Sequence, residues 1–131
     1  MAERLSADTD ALMEQGINVL AVISNDDQSV VQDSPPKMKL FSKQYGFNFP
    51  YLIDEDQSVG RAYGAVCMPD FFGFKKSSEL QYRGRLDNLR IGQETNRDRE
   101  LVDAMLMISK TGRGPEQQVP SMGCSIKWRD H

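Results

Sequence analysis

The 131 residues predict an α/β fold, made of short strands and flanking helices. Two observations lead to this prediction. Helical and extended patterns alternate along the first half of the chain in the order α-β-α-β-α, which is typical of an α/β sandwich. Further along, two strand-like segments flank a short polar turn, which is the pattern of an antiparallel hairpin. We expect a mixed sheet flanked by helices, with the hairpin towards the C-terminus.

The start of the chain contains the clearest helix and strand patterns. Apolar residues at helical spacing predict an opening helix over 3–15, and Gly16 ends it because glycine readily adopts the positive φ that follows many helices. Residues 17–24 form an almost unbroken β-branched and aliphatic run, which predicts a strand covered on both faces. A polar turn is expected over 25–28.

Two further helices and an extended piece complete the alternating pattern. The Ser-Pro-Pro sequence at 34–36 begins a helix, since serine caps helices and proline is tolerated in the first turn, and Gly46 ends it. Residues 47–53 are expected to be extended around a proline. Residues 57–63 are expected to form a short helix.

The second half of the chain predicts a hairpin, one long helix and an irregular tail. Residues 71–75 and 80–85 are the expected hairpin strands. Residues 97–110 carry one apolar stripe, with acidic residues near the start and a lysine at the end, which favours a helix. Beyond that helix Gly, Pro and polar residues dominate. We therefore divide the chain into a domain over 1–112 and an irregular tail over 113–131, whose tryptophan is expected to pack back onto the domain.

The composition of the chain limits which partners and which cellular location we expect. The net charge is −3, and no run approaches the roughly 18 apolar residues of a membrane helix, so neither nucleic acid nor a membrane is expected as a partner. His131 is the only histidine, so no metal site and no cofactor are expected. The first residues lack the layout of a secretory signal, which favours a cytoplasmic location where both cysteines remain free thiols.

The two cysteines are the candidates for chemistry. Cys67 stands two residues before Pro69, which opens an aromatic strand. It is either a redox thiol or a small buried apolar residue. Cys124 has basic residues nearby in sequence, which favour thiolate if they are also near in space, but its segment is also typical of a docking tail. A disulfide between the two cysteines is left open.

Three charged residues each have two interpretations. Asp70, directly after Pro69, either assists proton transfer near active thiols or stabilises the turn. Arg83 and Arg85 alternate along a predicted strand, so both are expected to face one side. That side is either a solvated face or a contact surface for an anionic substrate or a neighbouring acid.

The sequence contains the blocks GAVCMPDFFGF at 64–74 and PSMGCSIKW at 120–128, with shorter blocks ND at 25–26, SP at 34–35, YGF at 45–47, PYL at 50–52, AYG at 62–64 and YRGR at 82–85. Together these blocks resemble the thioredoxin-like, peroxiredoxin-related thiol–disulfide oxidoreductases (redoxins) of the AhpC/TSA superfamily. The resemblance implies a thioredoxin-like fold, a protein or small-molecule disulfide or a peroxide as substrate, and a thiol reductant as partner. It further implies that Pro69 is cis, that Cys67, Pro69 and Asp70 line the catalytic site, and that Cys67 is a resolving or auxiliary thiol.

The same resemblance implies that a segment is absent. In such families the reactive cysteine lies in a CxxC-type motif between a central strand and the next helix, whose N-terminus favours thiolate. This chain has no CxxC motif, and the resemblance places its start inside that helix. We therefore expect an N-terminally truncated member that lacks the first central strand, whose place is between the strands predicted over 17–24 and 71–75. Those two strands then pair directly, or a second copy completes the sheet as a homodimer.

Two hypotheses about function follow. The first is a partial thiol–disulfide oxidoreductase or peroxiredoxin-like antioxidant protein, inactive as this isolated chain because its principal redox cysteines are missing. The second is a non-catalytic thioredoxin-like binding module or self-associating domain, which holds a partner or another copy.

Overall fold

The computed structural model describes residues 2–25, 35–89 and 97–128. Helices and strands alternate within these ranges, so the predicted α/β class is confirmed. In chain order the elements are α1 (Ala2–Glu14), β1 (Ala21–Ile23), α2 (Pro35–Tyr45), β2 (Tyr51–Ile53), α3 (Ser58–Ala62), β3 (Cys67–Met68), β4 (Phe71–Phe74), β5 (Leu80–Gly84), α4 (Glu100–Thr111) and β6 (Cys124–Ser125).

The strands form three separate pairs. β1 and β2 are parallel, whereas β4 with β5 and β3 with β6 are antiparallel. Parallel and antiparallel pairing are therefore both present, as predicted. In the described ranges they occur in separate two-stranded sheets and not in one mixed sheet. β1 and β4 do not pair with each other in the described part of the chain, so the expected alternative of direct pairing between them is wrong.

Two strand predictions need correction. The strand predicted over 17–24 is regular only over Ala21–Ile23, because its partner β2 offers a ladder of just three residues. The tail, predicted to be irregular throughout, contributes β6, which pairs with β3 in the register Met68↔Cys124. The hairpin prediction is confirmed, with a bulge between Gly73 and Phe74.

The helices lie where the sequence predicts them, with shifted ends. α4 begins at Glu100 instead of Arg97 because the residues before it turn two arginine side chains towards Asp8 of α1. It ends at Gly112, which has φ +75° and donates its N–H to the carbonyl of Ile108 at 2.8 Å. The turn expected at 26–28 and the serine cap at 34 lie outside the described residues. The division at residue 112 stays a prediction.

The main core lies where α1 and α4 pack on the hairpin. Its buried members are Leu12, Tyr82, Leu86, Leu101, Val102, Ala104, Met105 and Ile108. The hairpin approaches α4 so closely that a Cβ built on Gly73 would overlap the Met105 sulfur, so a larger residue there requires the Met105 side chain to move. Apolar burial between these elements is the main source of stability in this half of the molecule.

The C-terminal tail is fastened to α3 and to the end of β1. The fully buried Gln57 donates its side-chain amide to the carbonyl of Lys127 at 2.9 Å, and the Lys127 N–H donates to Asn25 Oδ1 at 2.7 Å. The Arg61 guanidinium lies 4.3 Å from the centre of the Trp128 ring, a cation–π contact. The prediction that the tail packs its tryptophan onto the body is confirmed.

Candidate functional site

The candidate site is built on residues 64–70, here called the cis-proline segment, which joins α3 to β4 through β3. Its Met68–Pro69 peptide bond is cis, as the resemblance implied. Gly64, with φ +68°, ends α3, because few other residues adopt that backbone angle without strain. The segment is fixed at its middle by the pairing of β3 with β6 and therefore brings the predicted residues Cys67, Pro69 and Asp70 together.

Cys67 is half-buried and held by the tail. Its Sγ donates to the carbonyl of Ser121 at 3.6 Å, and its backbone lies opposite Ser125 of β6. Burial raises the pKa of the Cys67 thiol above its ordinary value, and the nearby Asp70 carboxylate raises this pKa further, while the Arg83 guanidinium opposes both. A thiol of raised pKa is mostly protonated at neutral pH and is a poor nucleophile.

Asp70 is paired with an arginine that the sequence patterns did not assign to the site. Its Oδ2 accepts from Nε and Nη2 of Arg83, both at 3.2 Å, and Nη2 also donates to the carbonyl of Gly64 at 2.9 Å. Arg85, expected on the same side as Arg83, is instead bound to Glu100 of α4. Both arginines therefore have carboxylate partners, while their side chains stay partly exposed to solvent.

The side chain of Cys124 makes no hydrogen bond or ion pair with Cys67 or Asp70 in the described part of the chain. It is exposed on β6, opposite Met68 rather than opposite Cys67, and both cysteines are free thiols. Residues that face each other across a β-ladder share a side of the sheet, whereas the next residue along the partner strand points to the opposite side. The register therefore separates the two side chains, although β3 and β6 are neighbours.

The cis-proline segment forms one end of an apolar groove with a volume of about 490 Å³. β1 and β4 both line the groove, with Leu12 and Met105 from α1 and α4 and with Tyr63 and Ile126 also contributing. In the described part of the chain β1 pairs with β2 alone and β4 with β5 alone, so each has one edge without a strand neighbour. The groove lies between the two strands where the resemblance placed an additional strand.

Neither a metal centre nor a membrane segment is found among the described residues. No group of three or more His, Cys, Asp or Glu side chains there is arranged to hold a metal ion. No helix in those ranges is both long and apolar enough to cross a bilayer.

The α/β elements and the cis-proline segment beside a hairpin define a thioredoxin-like protein. The chain belongs to the AhpC/TSA family, whose family model matches residues 1–84. A comparison with curated proteins finds no match.

Two solved structures are similar to almost the whole chain. A hypothetical protein from Sinorhizobium meliloti is 36% identical, with a TM-score of 0.88 over 99% of this chain and 72% of its own. An uncharacterized conserved protein from Geobacillus kaustophilus is 39% identical, with a TM-score of 0.89 over 99% of this chain and 69% of its own. The likeness extends beyond the family match to the tail that carries β6.

Proposed function

We propose that this chain takes part in thiol–disulfide or peroxide reduction as a partial redox protein, with the cis-proline segment lining the site where thiols react. The observation that carries the proposal is that Cys67, Pro69 and Asp70 line the groove, on a segment held by the pairing of β3 with β6. Membership of the AhpC/TSA family supports the reaction class. Substrates would be protein or small-molecule disulfides or peroxides, and a thiol would supply the electrons.

The proposed role of Cys67 is that of an auxiliary thiol, because its raised pKa does not suit the first attack. A reactive thiolate that these two cysteines do not supply attacks the peroxide oxygen, which releases an alcohol or water and leaves a sulfenic acid. The Cys67 sulfur then displaces water from that sulfenic acid and forms a disulfide, and two equivalents of a thiol reductant restore both thiols. Asp70, whose carboxylate acts on the Cys67 thiol through its charge, is the proposed acceptor of the Cys67 proton in the second step.

The proposed redox function leads to an expected location of the protein and an expected activity of the isolated chain. Both cysteines are free, a state that the reducing cytoplasm maintains, so we place the protein there. Without a more reactive thiolate the 131 residues are expected to be nearly inactive, and the reactive cysteine would come from a longer form of the protein or from a second polypeptide.

The test begins with the reading frame upstream of the Met1 codon. If that frame encodes a strand and a CxxC-type motif, the extended product is expected to reduce hydrogen peroxide with dithiothreitol, and Cys67→Ser is expected to lower its rate at least about tenfold. An extended product that turns over equally well with Cys67→Ser would contradict the auxiliary role. A stop codon directly before Met1 would contradict a longer form and favour the second function below.

A second candidate function is a non-catalytic binding module. The observation that favours it is the groove, where β1 and β4 each have an edge that no strand of the described ranges pairs with, and where apolar side chains such as Leu20 are exposed, Leu20 by 60%. One extended strand is the occupant that satisfies such edges, because its N–H and C=O groups pair on both sides. A second copy of the chain is one source of that strand, which would make the protein a homodimer.

Light scattering after size exclusion and a redox assay distinguish the two functions. A stable, folded dimer without redox activity supports the binding module. A chain that is unfolded or aggregates contradicts it, because a module must remain folded long enough to bind.

A further inference from the structure

The side chain of Arg83 joins the two ends of the cis-proline segment. Its Nη2 donates to the carbonyl of Gly64 at 2.9 Å, where the segment begins. Its Nε and Nη2 both lie 3.2 Å from Oδ2 of Asp70, where the segment ends. Arg83 itself stands on β5, opposite Phe72 of β4, so the neighbouring hairpin supplies the group that holds the segment.

The contact between Arg83 and Asp70 is sheltered from solvent at the Asp70 end and open to solvent at the Arg83 end. The Asp70 side chain is only 6% exposed, while that of Arg83 is 42% exposed. A buried carboxylate needs a charged or hydrogen-bonding partner to offset its lost hydration. In the ranges that the structure describes, Arg83 is the only side chain with which Asp70 forms an ion pair or hydrogen bond.

The guanidinium is itself held in place. Its carbon lies 5.0 Å from the centre of the Phe72 ring, a cation–π distance. The planar fork of arginine reaches a carbonyl and a carboxylate at once, which the point charge of a lysine does not reproduce. The shape of the arginine side chain, beyond its charge, is therefore what ties Gly64 to Asp70.

We propose that Arg83 is a positioning residue which holds Cys67 and Pro69 at the wall of the groove by fastening both ends of the segment that carries them. This positioning role matters for catalysis only if the proposed redox function is correct. Arg83 acts through Gly64 and Asp70, and its positive charge also favours the thiolate form of Cys67.

The test uses the 131-residue chain with Cys124→Ser, so that Cys67 is the only thiol. Arg83→Lys keeps the positive charge but removes the planar guanidinium group. Arg83→Gln removes both the charge and the guanidinium group. Arg85→Gln is the matched control, because Arg85 lies two residues further along and binds Glu100 instead. Two quantities are measured: hydrogen exchange of the Gly64 and Ala65 amides, which donate to Arg61 and Gly60, and the pH dependence of Cys67 alkylation by iodoacetamide.

Arg83→Lys is expected to speed exchange of the two amides about tenfold and to leave the alkylation midpoint near that of the parent, since the charge remains. Arg83→Gln is expected to speed exchange similarly and to move the midpoint to higher pH. Arg85→Gln is expected to change neither quantity.

Unchanged exchange in Arg83→Lys would overturn the proposal, even if Arg83→Gln failed to fold. Equal acceleration in Arg85→Gln would also overturn it, because the effect would then be general loosening of the hairpin. No step measures turnover, so loss of the proposed redox function leaves this result standing, and a negative result here leaves that function open to its own test.

Discussion

The half of the molecule around α4 and the half around β1 and β2 differ in how completely their apolar surface is covered. In the first half, Leu86 is 1% exposed and lies in a cluster of eight buried residues. In the second half, Leu20 of the chain leading into β1 and Leu52 of β2 are 60% and 50% exposed. Strand residues of this type are normally buried, so the second half has apolar surface that its own residues do not cover.

Polar groups show the same contrast. In the first half, the fully buried carboxylate of Asp8 is bound by Arg97 and Arg99. In the second half, β1 has an edge beside the groove that no strand within residues 2–25, 35–89 and 97–128 pairs with. The core around α4 is therefore covered on all sides, whereas the core around β1 and β2 is open on the side where Cys67 lies. For this reason we expect the proposed redox site to need a further segment or a partner.

The largest expected effect comes from truncating a core side chain in the complete half. Leu86→Ala should lower the free energy of unfolding by about 2–5 kcal/mol, because the surrounding residues cannot close the cavity. The same change at an exposed position of the open half, Leu52→Ala, should cost about 0.5 kcal/mol or less. Urea denaturation measures both. Similar losses at the two sites would contradict the contrast between the halves.

Removing the buried carboxylate should be nearly as costly. Asp8→Asn removes the carboxylate that binds both Arg97 and Arg99 and leaves Arg97 with Asp87 alone, so it should lower the free energy of unfolding by about 3 kcal/mol. Asp10→Asn on the same helix is the control, because Asp10 contacts only the exposed Asn48 among the described residues, and it should cost at most about 0.5 kcal/mol. Thermal unfolding measures both variants. Equal unfolding midpoints for Asp8→Asn and Asp10→Asn would refute the stabilising role of the buried Asp8 carboxylate.

A smaller effect is expected where the tail meets the cis-proline segment. A Cβ on Gly123 would lie 2.0 Å from the carbonyl oxygen of Met68, so Gly123→Ala should disrupt the pairing of β3 with β6 and cost about 1–3 kcal/mol. Cys67 should then react faster with iodoacetamide, because Ser121 no longer holds it. Met122→Ala, at a fully exposed neighbour, should change neither quantity. An unchanged alkylation rate in Gly123→Ala would show that the tail does not shield the thiol.

The smallest expected effect is a change in the titration of Cys67. The folded pKa is raised, so the alkylation midpoint of the native chain should lie above that of the unfolded chain. Since the raised pKa favours the neutral thiol, its contribution to stability is present below the unfolded pKa and is lost as pH rises through the folded pKa. Asp70→Asn should lower the folded midpoint, because a negative neighbour is removed. A midpoint that rises in Asp70→Asn would mean that the carboxylate does not act on the thiol.

Much of the fold could be predicted because its signals are local. The opening helix, the hairpin and the helix ends at Gly16 and Gly46 depend on spacing and turn chemistry within a few residues. The cis bond before Pro69 came from the resemblance, not from local pattern. The tail strand was missed because its two residues pair with β3 more than fifty positions away, and such a short ladder has no periodicity to detect.

The candidate site was only partly predictable for the same reason. Cys67, Pro69 and Asp70 are neighbours in sequence, so any fold places them close together. The role of Arg83 depends on the hairpin register, which sets it opposite Phe72 and within reach of Asp70. The raised pKa of Cys67 follows from burial, which only the packed chain defines.

The most direct test of the account is turnover by the 131-residue chain itself. Hydrogen peroxide and insulin disulfides would be offered in separate assays with dithiothreitol, and the chain would be compared with its Cys67→Ser variant. The account predicts that neither protein exceeds the uncatalysed rate, because the thiol of raised pKa is a poor first nucleophile. Turnover that Cys67→Ser abolishes would contradict it, and would make Cys67 the principal redox cysteine of a complete enzyme.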